Sequence, residues 1–230
     1  MLVHIPKLLD AGQVRLLREK LDHAGAPWVD GRVTAGHQGT QVKHNRQLDE
    51  ASGLARDLGD IILGALERNP LFISAALPDV VYPPMFNRYE GGMSFGNHVD
   101  GAIRLIPDTG VKLRTDLSAT LFLCAPEEYE GGELLIDDTF GSHAVKLPAG
   151  DLIVYPASSL HRVNPVSRGI RTASFFWVQS MVRDDAQRTL LFELDAAIQR
   201  LNASDADQSA RIQLTGCYHN LLRMWSSPSR

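Results

Sequence analysis

The middle of this 230-residue chain consists of short β-rich runs separated by Gly and Pro, from about residue 80 to residue 182. Examples are LSATLFLCA, DLIVYP and TASFFWVQSMV. No long amphipathic helix interrupts these runs. Short strands at regular spacing favour an antiparallel sandwich or barrel over alternating βαβ units. The pattern therefore predicts a mainly β core.

Helical periodicity occurs on both sides of this predicted core. Apolar residues recur at helical spacing over residues 10–23 and 49–68, and again from about residue 183. Pro70 and Pro78 are expected to end the N-terminal helical part. We therefore divide the chain into a supporting region of helices and strands (1–77), a β core (78–182) and a C-terminal helical segment (183–230). The flanking helices are too short to bury cores of their own, so they are expected to pack on the sheet.

Charge and composition exclude several classes of protein. The net charge of −4 leaves no electrostatic footprint for nucleic acid or for an anionic membrane. Two cysteines are too few for a disulfide scaffold or a zinc finger. We find neither the apolar region of a signal peptide nor a run of 18 apolar residues. The expectation is a cytoplasmic protein.

A metal site is predicted from a His-x-Asp triplet and a later histidine. His98-Val99-Asp100 follows a strand and a Gly-rich turn, and residues i and i+2 of an extended backbone point to the same side. Such a triplet alone is common by chance. His161, after the predicted strand at residues 152–155, is the best candidate for a third ligand. Two imidazoles and one carboxylate form the facial triad of non-haem Fe(II) oxygenases, which leaves positions for a 2-oxo acid and O₂.

Arg171 lies in the otherwise apolar run GIRTASFFWVQ. A fixed charge in such surroundings needs a buried partner. The far carboxylate of a 2-oxo acid would fit, because Arg binds carboxylates with two parallel hydrogen bonds. A structural ion pair is the other interpretation. The apolar stretches at 121–123 and 175–177 are expected to keep the site dry.

The triplet, His161 and Arg171 resemble the motif of the Fe(II)/2-oxoglutarate-dependent dioxygenases. The runs MFNRYEGGMSFGNHVDGAIR, EEYEGGELLI and VKLPAGDLIVYPASSLHRVNPVSRGIRTASFFWVQSMVRD are similar, more narrowly, to bacterial PKHD-type hydroxylases, which are relatives of the prolyl and lysyl hydroxylases. The resemblance implies a double-stranded β-helix, a jelly-roll variant, as the core. It also implies that His98, Asp100 and His161 bind the catalytic Fe(II), and that Arg171 binds 2-oxoglutarate.

One position departs from the family pattern. Some relatives place a Ser two residues after the Arg, where both side chains meet the same carboxylate, and this chain has Ala173 there. Candidates for the missing hydroxyl are Tyr89, Ser118 and Thr120. Tyr89 ranks first as a co-substrate ligand, because it lies on the strand that leads to the triplet.

The resemblance implies a hydroxylase that releases succinate and CO₂ and uses O₂ on an unidentified small-molecule or peptide substrate. Ascorbate often supports such enzymes, and the subfamily is linked to iron uptake. A non-catalytic iron sensor or cupin-like metal-binding module is an alternative, and so, more weakly, is a zinc hydrolase. The oligomeric state, a homodimer included, is not readable from the sequence.

Three further residues have two interpretations each. Arg104 is either a partner for an anionic substrate or a solvated charge. His37 and His44 lie in a polar section that forms either a lid over the site or an ordinary exposed loop.

Overall fold

The computed structural model describes residues 1–34, 39–139, 141–204 and 207–228. Within these ranges, no helix is both long and apolar enough to cross a membrane. The helices are α1 (Ala11–Leu21), α2 (Gly39–Val42), α3 (Gly53–Glu67), α4 (Pro70–Ala76), α5 (Asp185–Asn202) and α6 (Gln208–Trp225), with short 3-10 helices at Gly31–Thr34 and Pro126–Glu128.

The strands occupy the middle of the chain and parts of the N-terminal region. They are β1 (Val3–Ile5), β2 (Trp28–Asp30), β3 (Lys43–His44), β4 (Arg46–Leu48), β5 (Pro78–Val81), β6 (Met85–Glu90), β7 (Ser94–His98), β8 (Ile103–Leu105), β9 (Lys112–Arg114), β10 (Leu117–Phe122), β11 (Tyr129–Gly131), β12 (Leu134–Asp138), β13 (Gly141–Val145), β14 (Leu152–Pro156), β15 (His161–Val163) and β16 (Val166–Ser180).

Two antiparallel sheets form the core. The larger runs in the order β1-β14-β10-β16-β6-β4-β2, and the smaller in the order β13-β12-β15-β7-β3. The 15-residue strand β16 organises the larger sheet, because it pairs with β10 on one side and with β6 on the other. The hairpin of β8 and β9 forms a separate two-stranded sheet. The expected mainly β core with a jelly-roll architecture and flanking helices is confirmed.

Helices α1, α3 and α4 cover the outer face of the larger sheet. In α3, Leu58, Ile62 and Leu66 recur at helical spacing, are buried and join the main hydrophobic cluster with strand residues such as Phe176. The helix begins where the Ser52 side chain accepts a hydrogen bond from the Ala55 N–H. Burial of this apolar stripe is the main reason that the helix forms and stays on the sheet.

Pro70 begins a helix instead of ending one. It is the first residue of α4, and the Asn69 side chain accepts a hydrogen bond from the Phe72 N–H as the N-cap. The first position of a helix needs no N–H donor, and the proline ring already has the helical φ. The expectation that Pro70 ends the helical part was wrong for this reason.

The side chains of β10 alternate between the hydrophobic cluster under the helices and the space between the two sheets. Leu121 and the next residue but one, Leu123, belong to the main cluster under the helices. Phe122 belongs to a second cluster on the other side. Successive side chains of a strand point to opposite faces, so the expectation that all of 121–123 lines the site was wrong for the two leucines.

The C-terminal helices pack beside the larger sheet. Leu191 on α5 is buried with Leu77 and Val182, and Leu221, Leu222 and Trp225 on α6 pack against this cluster. A hydrogen bond of 2.6 Å from Ser74 Oγ to Asp195 Oδ2 also joins α5 to α4. Part of the apolar side of α6 is thus covered within this chain, although none of its described residues is fully buried.

Candidate metal centre

A cavity of about 880 Å³ lies between the two sheets. Strands of the larger sheet contribute side chains such as Tyr89 and Arg171, and strands of the smaller sheet contribute Phe95, His98 and His161. A concave site of this size can enclose a small ligand. The predicted site residues all face this one space or its edge.

His98, Asp100 and His161 form a compact group of possible metal ligands at one wall of the cavity. One ligand atom from each lies within 4.8 Å of the others. His98 is the last residue of β7 and stands directly opposite His161, the first residue of β15, with the ring centroids 4.1 Å apart. Asp100 follows β7 by two residues, and its Oδ2 lies 3.7 Å from His161 Nε2. The register of two strands therefore assembles His98 and His161, which are 63 positions apart.

Backbone carbonyls orient both imidazole rings. His98 Nδ1 lies 2.8 Å from the carbonyl oxygen of Gly96, and His161 Nδ1 lies 3.0 Å from that of Ser159. A carbonyl can only accept, so each Nδ1 must carry the proton and donate it. Each Nε2 then presents a lone pair, as a metal ligand requires.

Burial keeps His98 neutral at physiological pH. Desolvation, and then the charge that a protonated His161 would place beside it, lower the pKa of His98 to about 4. Asp100 is held on its other side by Ser118, whose Oγ donates a 2.5 Å hydrogen bond to Asp100 Oδ2. Two neutral imidazoles and one oriented carboxylate are a donor set suited to Fe(II).

Arg171 is a buried cation in the same cavity. It is 1% exposed, and in the part of the chain that the structure describes it makes no ion pair. The Tyr129 hydroxyl lies near its guanidinium without forming a hydrogen bond of ordinary geometry. The rings of Tyr89 and Phe122 lie 5.4 and 5.3 Å from its central carbon. An uncompensated buried charge costs several kcal/mol by rough estimates. The arrangement leaves room for an anion on this guanidinium.

The three hydroxyl candidates lie in different places. Tyr89 is directly opposite Arg171 across the β6–β16 pairing, and burial raises the pKa of its hydroxyl although the Arg171 charge partly offsets this. Ser118 contacts Asp100 instead. Thr120 hydrogen bonds to Tyr155. Burial, and then the nearby Asp100 charge, raise the pKa of the Tyr155 hydroxyl well above its usual value. Of the three, Tyr89 alone is cross-strand from Arg171.

Several residues of the cavity were not found from the sequence. Lys43, Asn87 and Tyr155 all line it. Asn87 could have been found, because it alternates with Met85 and Tyr89 on β6 and must share their face. Lys43 had no such signal, because it lies on a two-residue strand in the polar section.

No other histidine among the described residues joins the triad. His44 is exposed on β3, and His37 lies outside the described residues. His143 is exposed and pairs with Asp138 at 2.8 Å.

Arg104 is not a freely solvated charge, because it stacks on Trp177 at the cavity edge.

The chain matches two family models. Residues 84–179 match the 2OG-Fe(II) oxygenase superfamily, and residues 185–227 match the PKHD-type hydroxylase C-terminal domain. The first match includes both strands that carry the triad and all of Arg171's neighbours on β6. The second covers α5 and α6.

Close relatives extend the match to nearly the whole chain. A PKHD-type hydroxylase of Burkholderia ambifaria (strain MC40-6) is 69% identical over 226 residues, which is 98% of this chain and 99% of the relative. Another, of Paraburkholderia xenovorans (strain LB400), is 65% identical over 99% of this chain and 100% of the relative.

Solved structures share the fold at low sequence identity. A prolyl-4-hydroxylase of Pseudomonas putida is 21% identical with a TM-score of 0.53, covering 78% of this chain and 92% of that one. A non-heme alpha ketoglutarate dependent carbocyclase from nogalamycin biosynthesis is 16% identical with a TM-score of 0.55, covering 79% and 80%. These likenesses concern the fold alone.

Proposed function

Because this chain belongs to the PKHD-type hydroxylases of the 2-oxoglutarate and Fe(II) oxygenase superfamily, we propose that it hydroxylates a small-molecule or peptide substrate at the centre formed by His98, Asp100 and His161. In this proposal 2-oxoglutarate is the co-substrate, and succinate and CO₂ are released. The observation that carries it is the buried guanidinium of Arg171, which has no carboxylate partner among the described residues and lies in the same cavity as the triad. A non-catalytic iron-binding module would have no use for that charge.

The residues present suit both groups that the family implies. The triad offers two imidazole nitrogens and one carboxylate oxygen, a set that holds Fe(II) and leaves positions open. Arg171 offers a planar fork of donors to the far carboxylate of 2-oxoglutarate. When bound, Fe(II) with 2-oxoglutarate and O₂ supplies the oxidising chemistry that replaces a C–H bond by C–OH.

The chain's own residues bind and orient the reactants. The carbonyls of Gly96 and Ser159 fix the imidazole tautomers, and Ser118 fixes the Asp100 carboxylate. Arg171, and Tyr89 beside it, hold the co-substrate at the closed end of the cavity. The surrounding aromatic rings exclude water, which strengthens each of these charged contacts.

Two finer parts of the proposal rest on the family resemblance alone. Ascorbate is proposed to sustain turnover by keeping the enzyme's iron reduced. The substrate is proposed to be related to iron uptake. A succinate-release screen of metabolites, run with and without ascorbate, tests both.

The central test uses the purified protein under nitrogen with Fe(II) and 2-oxoglutarate. We expect a weak visible absorption band from the complex, and succinate on addition of oxygen. His98→Ala and Asp100→Ala should lose Fe(II) binding at micromolar iron. Arg171→Ala should retain iron but bind 2-oxoglutarate at least about tenfold more weakly, because charged hydrogen bonds contribute roughly 1.5–3 kcal/mol each.

Matched controls separate these effects from general damage. His143→Ala removes an exposed histidine that also pairs with an aspartate, and Arg168→Ala removes an exposed arginine paired with Glu130. Both should behave as wild type. Unchanged 2-oxoglutarate affinity in Arg171→Ala would refute its assignment, and binding of iron without succinate release would favour the sensor alternative.

A further inference from the structure

We propose that Lys43 and Arg104 form a carboxylate-binding subsite for the primary substrate, at the part of the cavity away from Arg171. The inference rests on the proposed function, in that the cavity is taken to be the oxygenase site. It names the substrate class: an organic acid with an apolar hydrocarbon part.

Lys43 is a buried cation whose contacts leave a donor free. It is 6% exposed and lines the cavity. Its Nζ donates to Gln47 Oε1 and, at 3.2 Å, to Thr34 Oγ1. Both acceptors are neutral, and an ammonium group has three donors. Among the described residues Lys43 makes no salt bridge, so one N–H and the whole charge are available to an anion.

Aromatic rings hold the Lys43 ammonium in place. Its Nζ lies 5.2 Å from the ring centroid of Phe95 on the smaller sheet and 5.8 Å from that of Phe175 on the larger sheet. Phe95 in turn stacks on His98, with centroids 3.5 Å apart and planes inclined by 14°. One ring therefore separates the cation from a proposed iron ligand.

Arg104 approaches the same region from the β8–β9 hairpin. Its central carbon lies 3.9 Å from the ring centroid of Trp177 and 5.3 Å from that of Tyr82. Stacking of this kind fixes the guanidinium plane. One edge of the guanidinium contacts the Tyr82 hydroxyl, and its remaining N–H donors can bind a carboxylate. Across the described ranges, Arg104 too has no salt-bridge partner within 4.0 Å.

The local charge balance favours an anion. Glu50 lines this end of the cavity, and Asp30 also acts on Lys43, but the Asp30 charge is offset by its ion pair with Arg32. Two cations against one carboxylate leave a net positive charge. Asp100 does not offset it, because the proposed metal would compensate that carboxylate.

The subsite is distinct from the proposed co-substrate end. Arg171, Phe175 and Trp177 lie on the same face of β16, four and then two residues apart. At about 3.3 Å per residue, Phe175 is roughly 13 Å and Trp177 roughly 20 Å from Arg171 along the strand. The five-carbon chain of 2-oxoglutarate is shorter than this backbone separation, so we place the co-substrate on Arg171 and assign Arg104 to a different ligand.

The subsite also flanks the triad from two sides. On one side, Lys43 lies over the ring of Phe95, and Phe95 stacks on His98 of the triad. Trp177, under Arg104, is directly opposite Ser118 in the sheet, and Ser118 bonds to Asp100. A carboxylate held between the two cations would lay its hydrocarbon part over Phe175 and Trp177, with a C–H bond turned toward the triad. Both a free acid and a peptide C-terminus have this chemistry.

The test compares acids with their amides on enzyme loaded with Mn²⁺ and 2-oxoglutarate under nitrogen. The probes are 4-methylpentanoate against 4-methylpentanamide, and Gly-Gly-Leu with a free against an amidated C-terminus. Binding is followed by calorimetry and by the fluorescence of Trp177 in a Trp28→Phe, Trp225→Phe background. We expect at least one acid to bind about tenfold or more tightly than its amide, an effect typical of charge-assisted hydrogen bonds. If the 4-methylpentanoate pair shows this preference, the carboxylate belongs to a free acid. If the Gly-Gly-Leu pair shows it, the carboxylate belongs to a peptide C-terminus.

Variants assign the preference to the two cations. Lys43→Met and Arg104→Met should each reduce acid affinity at least about fivefold and leave amide affinity unchanged. Lys146→Met, which removes a lysine stacked on Tyr129, and Arg162→Met, which removes an arginine bonded to Asn97, are the matched controls. Thermal unfolding of every variant checks that it is folded, and Arg104→Lys supplies a milder second change.

Three results would overturn the proposal. The first is the absence of any acid-over-amide preference in the wild type. The second is a preference that survives in both Met variants. The third is a loss of 2-oxoglutarate affinity in Lys43→Met, which would make Lys43 a co-substrate ligand. Failure of the proposed function is separate, because it would appear as no binding of 2-oxoglutarate in the wild type.

Discussion

Ser118 Oγ donates a 2.5 Å hydrogen bond to Asp100 Oδ2. Ser118 lies on β10 of the larger sheet, whereas Asp100 follows β7 of the smaller one. The bond therefore ties the proposed iron ligand to the opposite sheet. Removal of a group that orients a metal ligand in this way typically weakens binding of the metal.

Ser118→Ala should weaken Fe(II) binding about 10- to 100-fold, because the Asp100 carboxylate loses the donor that fixes its orientation. Equilibrium dialysis of iron against the anaerobic protein measures this. Ser142→Ala, which removes an exposed hydroxyl bonded to Asp137, should leave iron affinity unchanged. Equal affinities in the two variants would mean that Ser118 does not position Asp100.

Tyr89→Phe should raise the Kd for 2-oxoglutarate about tenfold or more, with iron affinity preserved. Tyr89 lies opposite Arg171. Its hydroxyl is proposed to replace that of the Ser that some relatives have at the position of Ala173. A hydrogen bond to a charged group contributes roughly 1.5–3 kcal/mol. Tyr218→Phe on α6 is the control, and a Tyr89→Phe enzyme with wild-type co-substrate affinity would contradict the assignment.

Gly132→Ala should lower both stability and 2-oxoglutarate affinity. Gly132 has φ of +68°, and a Cβ there would lie 2.8 Å from Val166 Cγ2 and 3.1 Å from Arg171 Cδ. The buried neighbours must shift, at a cost of about 1–3 kcal/mol beyond the backbone strain. Gly91→Ala is matched, with φ of +55° and nothing within 4 Å of its Cβ. Denaturant unfolding and calorimetry with 2-oxoglutarate should separate the two, and identical behaviour would rule out the steric account.

Binding of 4-methylpentanoate, which stays ionised from pH 7 to 9.5, should weaken as the pH rises through about 8. Burial, and then the charge of Arg104, lower the pKa of Lys43 to about 8, while the carboxylates of Asp100, Asp30 and Glu50 partly counteract this. Lys43 is therefore charged below this pH and increasingly neutral above it. Titrations from pH 7 to 9.5 should show the loss in wild type and a flatter profile in Lys43→Met. Binding of 4-methylpentanamide, which has no titrating group in this range, should not change.

Local patterns in the sequence were sufficient for the class of fold and for the proposed ligands. Strand-length runs with Gly and Pro between them predict an antiparallel core, because these residues limit how far a strand can extend. The spacing of His98 and Asp100, and the buried strand before His161, locate three chemically suitable side chains. Arg171 was noticeable because a charge in an apolar run must find a partner.

Other features depended on pairing between distant segments. Lys43 and Arg104 are 61 residues apart, in a polar section and a short hairpin. Arg104 was a candidate partner for an anionic substrate, but nothing in the sequence pattern linked it to Lys43. Ser118 was considered for the wrong partner, because only the facing of two sheets brings it to Asp100. Side-chain alternation along a strand is a local property, but which strands become neighbours depends on loop closure and packing across the whole chain. Local sequence patterns thus predicted the strand-rich core and the residues proposed to hold iron and 2-oxoglutarate. Pairing between distant strands brought together the groups that orient these residues and the two further cations, because such pairing depends on the packing of the whole chain.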